Sequence, residues 1–334
     1  MKINRRKAIK LGSMIGALFA FPTIMSNSFL IKNNKKTIRS MKPIKVQLGK
    51  IYFYIFSDGE MIINQPEKVF ASDISKNEFE KKSSQLHLKK SVAELSINII
   101  LIKTSDKTIL IDSGLGKHSN DNQGLLLESL INEGIEPNTI TDVLITHAHR
   151  DHIGGLVSTD NQLVFPEATY HISKEEYDFW MTEKPDFSQS KLNQEQVTGT
   201  VKFIQKLLKI ISPKVKTFKA GETLFNLIKT ELAPGHTPGH IVFTIASEDK
   251  SIKNVVDILH TPLMISEPDW GVLFDVNFKQ GIETRNKILS DCCINNTLVM
   301  SYHLPWPGLG YIDKRDDEYV WNPISYYNPT EIKL

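Results

Sequence analysis

The sequence predicts one large domain of mixed α and β structure, and three observations carry that expectation. Short apolar runs rich in β-branched residues recur along the chain, as strands do. Amphipathic stretches between them begin with capping residues and end at Gly or Pro, as helices do. Residues with metal-binding chemistry stand at the ends of several of the apolar runs, from His147 to His303. A domain boundary between those positions would split a single site, so the 334 residues are read as one domain behind an N-terminal extension.

The extension comes first. In residues 1–27, Arg5-Arg6-Lys7-Ala-Ile-Lys10 precedes an apolar stretch beginning at Leu11 and ending near Met25. Paired arginines before a modest apolar region resemble a twin-arginine export signal. That predicts a periplasmic or secreted protein, handed to the export machinery already folded. The stretch is short for a membrane span and is broken by Gly12, Gly16 and Pro22. No A-x-A pattern precedes Asn27, so an uncleaved signal acting as a membrane anchor is the alternative. Residues 28–44 read as a linker, with Lys32, Lys35, Lys36, Arg39 and Lys42 as a solvated basic run. Residues 45–334 are the main domain. Loss of residues 1–27 removes five bases and no acid, which takes the formal charge from +2 to −3. A slightly acidic mature chain without a basic stripe excludes nucleic acid as a partner.

Within the main domain, Val46–Phe56, Ile97–Lys103 and Thr108–Ile111 read as strands. The polar segment 60–95 reads as a long loop or insert near the mouth of a site. Gly124–Glu133 is helical and ends at Gly134. Thr141–Thr146 reads as a buried strand and Ala168–Ile172 as another. Ser173 then caps a helix, with Ser173-x-x-Glu176 as a capping box. Gln194–Ile211 is a longer helix that stops before Pro213. Ile241–Ile245, Ile252–Asp257 and the run from Thr297 read as strands, with a helical run at Phe278–Ser290 among them. The adjacent Cys292 and Cys293 read as one core residue and one bystander; a chain of this size needs no disulfide.

The chemistry concentrates in Thr146-His-Ala-His-Arg-Asp-His-Ile-Gly-Gly155. His147, His149, Asp151 and His152 place three imidazoles and a carboxylate within six residues, at the carboxyl end of a strand where open sheets build sites. The two glycines that follow read as a loop opening into a helix. Imidazole and carboxylate suit Zn, with Fe or Mn as alternatives. Four ligands exceed what one catalytic Zn takes and fall short of two metals, so further ligands are expected downstream. His236, in Pro234-Gly-His-Thr-Pro-Gly-His240, is one candidate; Asp257 and His303, each at a strand end, are the others. His240 reads as a neighbour of the site or a strand start rather than a ligand.

The order H-x-H-x-D-H, His, Asp, His resembles the metallo-β-lactamase superfamily of dinuclear metal hydrolases, over about Val46 to Tyr319. Leu110-Ile-Asp-Ser-Gly114 adds to the likeness. Pro268-Asp-Trp270 with Phe274-Asp275, and Tyr302-His-Leu-Pro-Trp-Pro-Gly-Leu-Gly310, resemble the methyl parathion hydrolase branch, itself similar to the N-acyl-homoserine lactonases. The resemblance implies an α+β fold, a four-layer αββα sandwich. It implies that His147, His149 and His236 bind one metal, that Asp151, His152 and His303 bind a second, and that Asp257 bridges them. Asp112 becomes the acceptor that orients a ligand imidazole. One departure stands out: Val256 occupies the position before the bridging Asp where relatives often carry Gly.

Two divalent ions, Zn by expectation, set roughly 3.5–4 Å apart share and activate a water. The resemblance therefore implies hydrolysis by a metal-bridging hydroxide, with Asp151 or Asp257 moving the proton, and no Ser or Cys nucleophile. Expected substrates are small hydrophobic esters, organophosphate triesters or lactones. Trp180, Trp270, Phe274 and Trp306 are the candidate pocket residues. The branch it resembles forms dimers, so a homodimer is expected. A glyoxalase II-like thioesterase is disfavoured because the tail after His303 is short for an added helical domain. A β-lactamase is disfavoured because both cysteines lie away from every motif. A metal-binding protein without catalysis is the remaining alternative, against which stand all seven ligands.

Overall fold

Alternation of buried side chains along the strands shows how the chain layers. In the computed structural model, which describes residues 41–118 and 123–334, Ile241, Phe243 and Ile245 join the large apolar core, while Val242 between them faces a second core. Leu298 and Met300 likewise face the first core and Val299 the second. Successive side chains on a strand point to opposite faces, so this sheet is covered on both sides. The signal-type segment 1–27 and all but the last residues of the linker lie outside the described residues.

The first sheet is built from β1 (Ile44–Leu48), β2 (Ile51–Asn64), β3 (Val92–Lys103), β4 (Thr108–Ile111), β5 (Asp142–Ile145), β6 (Thr169–Ser173) and β7 (Val215–Phe218). They lie in chain order, β1 to β4 antiparallel and β4 to β7 parallel. The second sheet holds β8 (Thr223–Leu224), β9 (Ile228–Leu232), β10 (Ile241–Ser247), β11 (Lys250–Asn254), β12 (Leu298–Met300), β13 (Leu309–Arg315) and β14 (Glu318–Pro323), again as neighbours in order. The last strand, β15 (Glu331–Lys333), returns to pair with β1.

Among the described residues eight helices accompany them: α1 (Pro66–Phe70), α2 (Lys76–Gln85), α3 (Leu126–Asn132), α4 (Arg150–Ile153), α5 (Lys174–Met181), α6 (Gln194–Ile211), α7 (Leu263–Ser266) and α8 (Phe278–Ile294). Helix α6 buries Ile204, Leu207, Leu208 and Ile211 into the large core, and α8 buries Ile288, Leu289 and Cys292 against the second sheet. The result is the expected αββα sandwich.

Several local expectations shift. The predicted strand Val46–Phe56 is two strands, because Gly49 at φ +55° turns the chain between β1 and β2. Segment 60–95 is not a loop: β2 and β3 continue their pairing out to Asn64 and Val92, and the residues between form α1 and α2. The helix expected after Gly154-Gly155 begins earlier, at Arg150, inside the ligand run. Helix α8 runs on to Ile294 and takes in both cysteines. Asp257 lies beyond the strand end, in a 3-10 turn at Val256–Ile258.

A buried carboxylate joins the strand bulge to the helices. Asp58 sits at a break in the β2–β3 register, and its two oxygens accept N–H bonds from Leu115 and Leu126, each at 2.8 Å. Burial pushes its pKa up to about 7 in spite of those bonds. Asp58→Ala leaves two buried donors without an acceptor, so a loss of about 2–4 kcal/mol is expected in denaturant unfolding; a change below about 0.5 kcal/mol contradicts this role.

Candidate metal centre

Four segments from both sheets deliver the polar side chains to one place. The buried strand β5 ends at Ile145, and the chain leaves it to present His147 and His149 before α4 carries Asp151 and His152. His236 comes from the turn between β9 and β10, Asp257 from the turn after β11, and His303 from the turn after β12. The structure thus brings together all seven residues singled out in the sequence. They fall into two groups: His147, His149 and His236, and Asp151, His152, His303 and Asp257.

Asp257 touches both groups. Its Oδ2 lies 3.3 Å from His236 Nε2, 3.7 Å from His147 Nε2 and 3.3 Å from His303 Nε2, while Oδ1 lies 3.2 Å from His152 Nε2. Asp151 Oδ2 lies 3.2 Å from His303 Nε2 and 3.6 Å from His152 Nε2. These separations fit a metal. Ligand atoms about 2.0–2.2 Å from a tetrahedral ion stand about 3.4 Å from one another. Moreover, His147 Nε2, His152 Nε2 and Asp257 Oδ1 are buried with no hydrogen-bond partner among the described residues. Buried polar atoms are rarely left so, and a divalent cation would satisfy all three.

The imidazoles are held from behind. His152 Nδ1 lies 2.9 Å from Asp112 Oδ2, and the same carboxylate accepts from the Thr146 amide and hydroxyl. His236 Nδ1 lies 2.8 Å from Asp275 Oδ1, and His303 Nδ1 donates to the Ser96 carbonyl at 2.9 Å. Each leaves Nε2 turned toward Asp257. Tyr302 stacks on His152 and donates its hydroxyl to the Asp151 carbonyl. His240, expected as a neighbour rather than a ligand, is fully buried, and its Nε2 accepts the Asp257 amide.

Sequence reasoning missed His260 and the role of Asp275. His260 Nε2 lies 3.3 Å from Asp257 Oδ2, and its ring stacks on His303; with His236 and Asp257 it makes a third group of ligand type. Its signal was its position three residues after Asp257. Asp275 was noticed only as part of a loop motif. The aromatic candidates divide. Trp180 is fully buried and donates its indole N–H to Glu176, 6.0 Å behind the His149 ring, so it is a support and not a pocket wall. Trp270 stacks on Phe79 of α2. Phe274 packs in a cluster with Phe70, whose ring is 5.8 Å from His260. Trp306 packs against the large core.

Two stacked sheets with helices outside, and a buried His/Asp cluster at their strand ends, define a metal-dependent hydrolase. Residues 92–275 match the model of the metallo-β-lactamase superfamily, and the chain belongs to that superfamily. It is similar to AidC, a dizinc quorum-quenching lactonase solved with the product N-hexanoyl-L-homoserine, at 35% identity and a TM-score of 0.82 over 86% of this chain and 99% of that one. It is also similar to the solved hydrolase AbOPH, at 28% identity and 0.78 over 87% and 100%. Among sequences, it shares 24% identity over 216 residues with the probable metallo-hydrolase YybB of Bacillus subtilis (strain 168), 63% of this chain and 81% of that protein.

Charge in the metal-free cluster sets a pH dependence. Burial opposes protonation of His236 and His303, but Asp257, with Asp275 and Asp151, outweighs it and pushes them up to about 9 and about 10. Burial likewise opposes the charged form of His152, which Asp257, Asp151 and Asp112 nevertheless raise. Burial holds His147 and His149 down, so they stay neutral. Below its pKa a histidine carries the proton that a cation must displace. Metal uptake at pH 7.5 is therefore expected to release protons, and apparent affinity to fall as pH falls. Calorimetric titration in two buffers of different ionisation enthalpy measures this; equal heats in both would contradict it.

Proposed function

We propose that this protein is a dinuclear-metal hydrolase that opens neutral lactones, with related esters as secondary substrates. The observation that carries the reading is the position of Asp257, buried between two imidazole groups with carboxylate and imidazole atoms left unpartnered around it. Similarity to a dizinc lactonase along nearly its whole length supports the choice of substrate class. His147, His149 and His236 would hold one cation and Asp151, His152 and His303 the other, with Asp257 reaching both. A pair of divalent cations, Zn by the donor set, supplies when bound a water of lowered pKa and Lewis-acid assistance to the substrate oxygen.

The chain's own groups then divide the work. Hydrogen bonds from Nδ1 to Asp112, Asp275 and the Ser96 carbonyl fix the orientation of three imidazoles with Nε2 facing Asp257. Asp151 is 14% exposed in its side chain against 3% for Asp257. That greater exposure supports Asp151 as the carboxylate that takes a proton from the attacking water and returns it to the leaving oxygen, while Asp257 stays fixed. Phe274, partly buried against the cluster of Phe70 and Val272, would meet the hydrocarbon part of a lactone. Export by way of Arg5 and Arg6 belongs to the same reading; an Arg5→Lys, Arg6→Lys chain is expected to remain in the cytoplasmic fraction while the wild type leaves it.

Elemental analysis is expected to find two metals per chain, and an acyl-homoserine lactone to turn over faster than a p-nitrophenyl phosphotriester. Chelation should abolish turnover. Asp257→Asn is expected to lower kcat/KM by about 100-fold or more, since changing even an outer partner of a ligand costs up to about that. Fewer than one metal per chain, or lactone turnover indifferent to chelator, would defeat the proposal.

A further inference from the structure

The capping box at the start of α5 is only half made. Ser173 Oγ accepts the Glu176 amide at 3.2 Å, as a helix cap should. The Glu176 carboxylate does not reach back to close the box; it turns inward and is fully buried. There it accepts four hydrogen bonds. Oε1 takes the Ala148 amide at 2.8 Å and the Trp180 indole at 2.7 Å. Oε2 takes the Thr237 hydroxyl at 2.6 Å and the Gly239 amide at 3.0 Å.

Two of those partners are chain neighbours of proposed ligands. Ala148 lies between His147 and His149, and Thr237 follows His236. One carboxylate therefore ties together the two loops that supply the whole His147, His149, His236 group, and its four bonds go to no residue of α4, which carries Asp151 and His152, nor to the turns that carry His303 and Asp257. The contact is close: a Cβ at Gly239 would stand 2.0 Å from the Glu176 nitrogen, so only glycine lets the His236 loop dock on the helix. Ser173 Oγ adds a bond to the Gly239 carbonyl at 2.7 Å. With four donors on two oxygens, every acceptor site of the carboxylate is used.

We propose that Glu176 is a positioning residue for one half of the metal centre, setting the affinity of the His147, His149, His236 position without acting on the other. The assignment rests on the dinuclear reading above. It differs from a cap or a core contact in being selective: a residue that merely stabilises α5 would weaken both positions together through the fold, or neither.

The test is a stepwise Zn titration of the metal-free full chain against a competing chelator, in four forms. Wild type is expected to show two binding steps. Glu176→Gln puts an amide NH2 where an oxygen accepted two donors; it is expected to weaken one step by about 10–100-fold and change the other by less than about threefold. Asp112→Asn, which loosens His152, is the reference and is expected to weaken the opposite step. Thr237→Val removes a single bond to the carboxylate at nearly constant volume and should weaken the same step as Glu176→Gln, more mildly; it decides the question if Glu176→Gln fails to fold. Equal weakening of both steps, weakening of the step that Asp112→Asn weakens, or unchanged binding with a lowered melting temperature would each overturn the assignment while the dinuclear reading stands. A wild type that takes up no metal would remove that reading, and the assignment with it.

Discussion

A buried carboxylate surrounded by imidazoles is the constraint on which this architecture depends. Asp257 lies within 3.7 Å of nitrogen atoms from five histidines, His147, His152, His236, His260 and His303. Those residues come from opposite sheets, and no local segment could assemble them. The large apolar core between the sheets supplies the burial that makes convergence affordable, since removing charged and polar groups from water is costly unless they find partners. The turns that carry these residues leave their strands at the strand ends, where backbone groups are free to turn and side chains can meet.

Backbone strain gathers in the same place. Asp112, behind His152, has φ +61°, and Val256, beside Asp257, has φ +48°. The left-handed region costs a residue with a Cβ roughly 1–2 kcal/mol, most for a branched side chain. Asp112 is held there by the Thr146 bonds, and Val256 by its amide bond to the Asn254 side chain and by burial in the core. The departure noticed in the sequence, Val at the position before Asp257, thus sits in a backbone conformation that favours glycine, and its side chain packs in the large core. Strain at such positions persists because the surrounding structure over-determines it.

What could be read from the sequence follows the range of the interactions. The run His147–His152 is local, and its chemistry is plain from spacing alone. His236, Asp257 and His303 were legible because each is a ligand-type residue beside a strand-like run. Strand ends were less legible: the Gly49 turn and the long β2–β3 pairing depend on partners far along the chain. The supports were least legible of all. Asp275 meets His236 across 39 residues and Glu176 meets Thr237 across 61. Glu176 also satisfied a local rule, the capping box, so its sequence context pointed to the surface while its carboxylate went to the core. Trp180 was read as a pocket aromatic for the same reason: its helix was legible, but not the face it buries.

Charge balance ties these supports to the centre they surround. Asp151 and Asp257 stand in the cluster, and Asp112, Asp275 and Glu176 stand directly behind it. Against these carboxylates stands Arg285, fully buried, with its guanidinium 3.9 Å from Asp275 and further bonds on the carbonyls of Ile258, Pro268 and Trp270. Carboxylates outnumber this cation in the set. Without metal, protonation of His152, His236 and His303 supplies part of the balance. Carboxylates that look like separate devices, one orienting an imidazole and another clamping two loops, therefore share a second effect. Together they give the interior a negative potential in which divalent cations cost far less to bury than in a neutral interior.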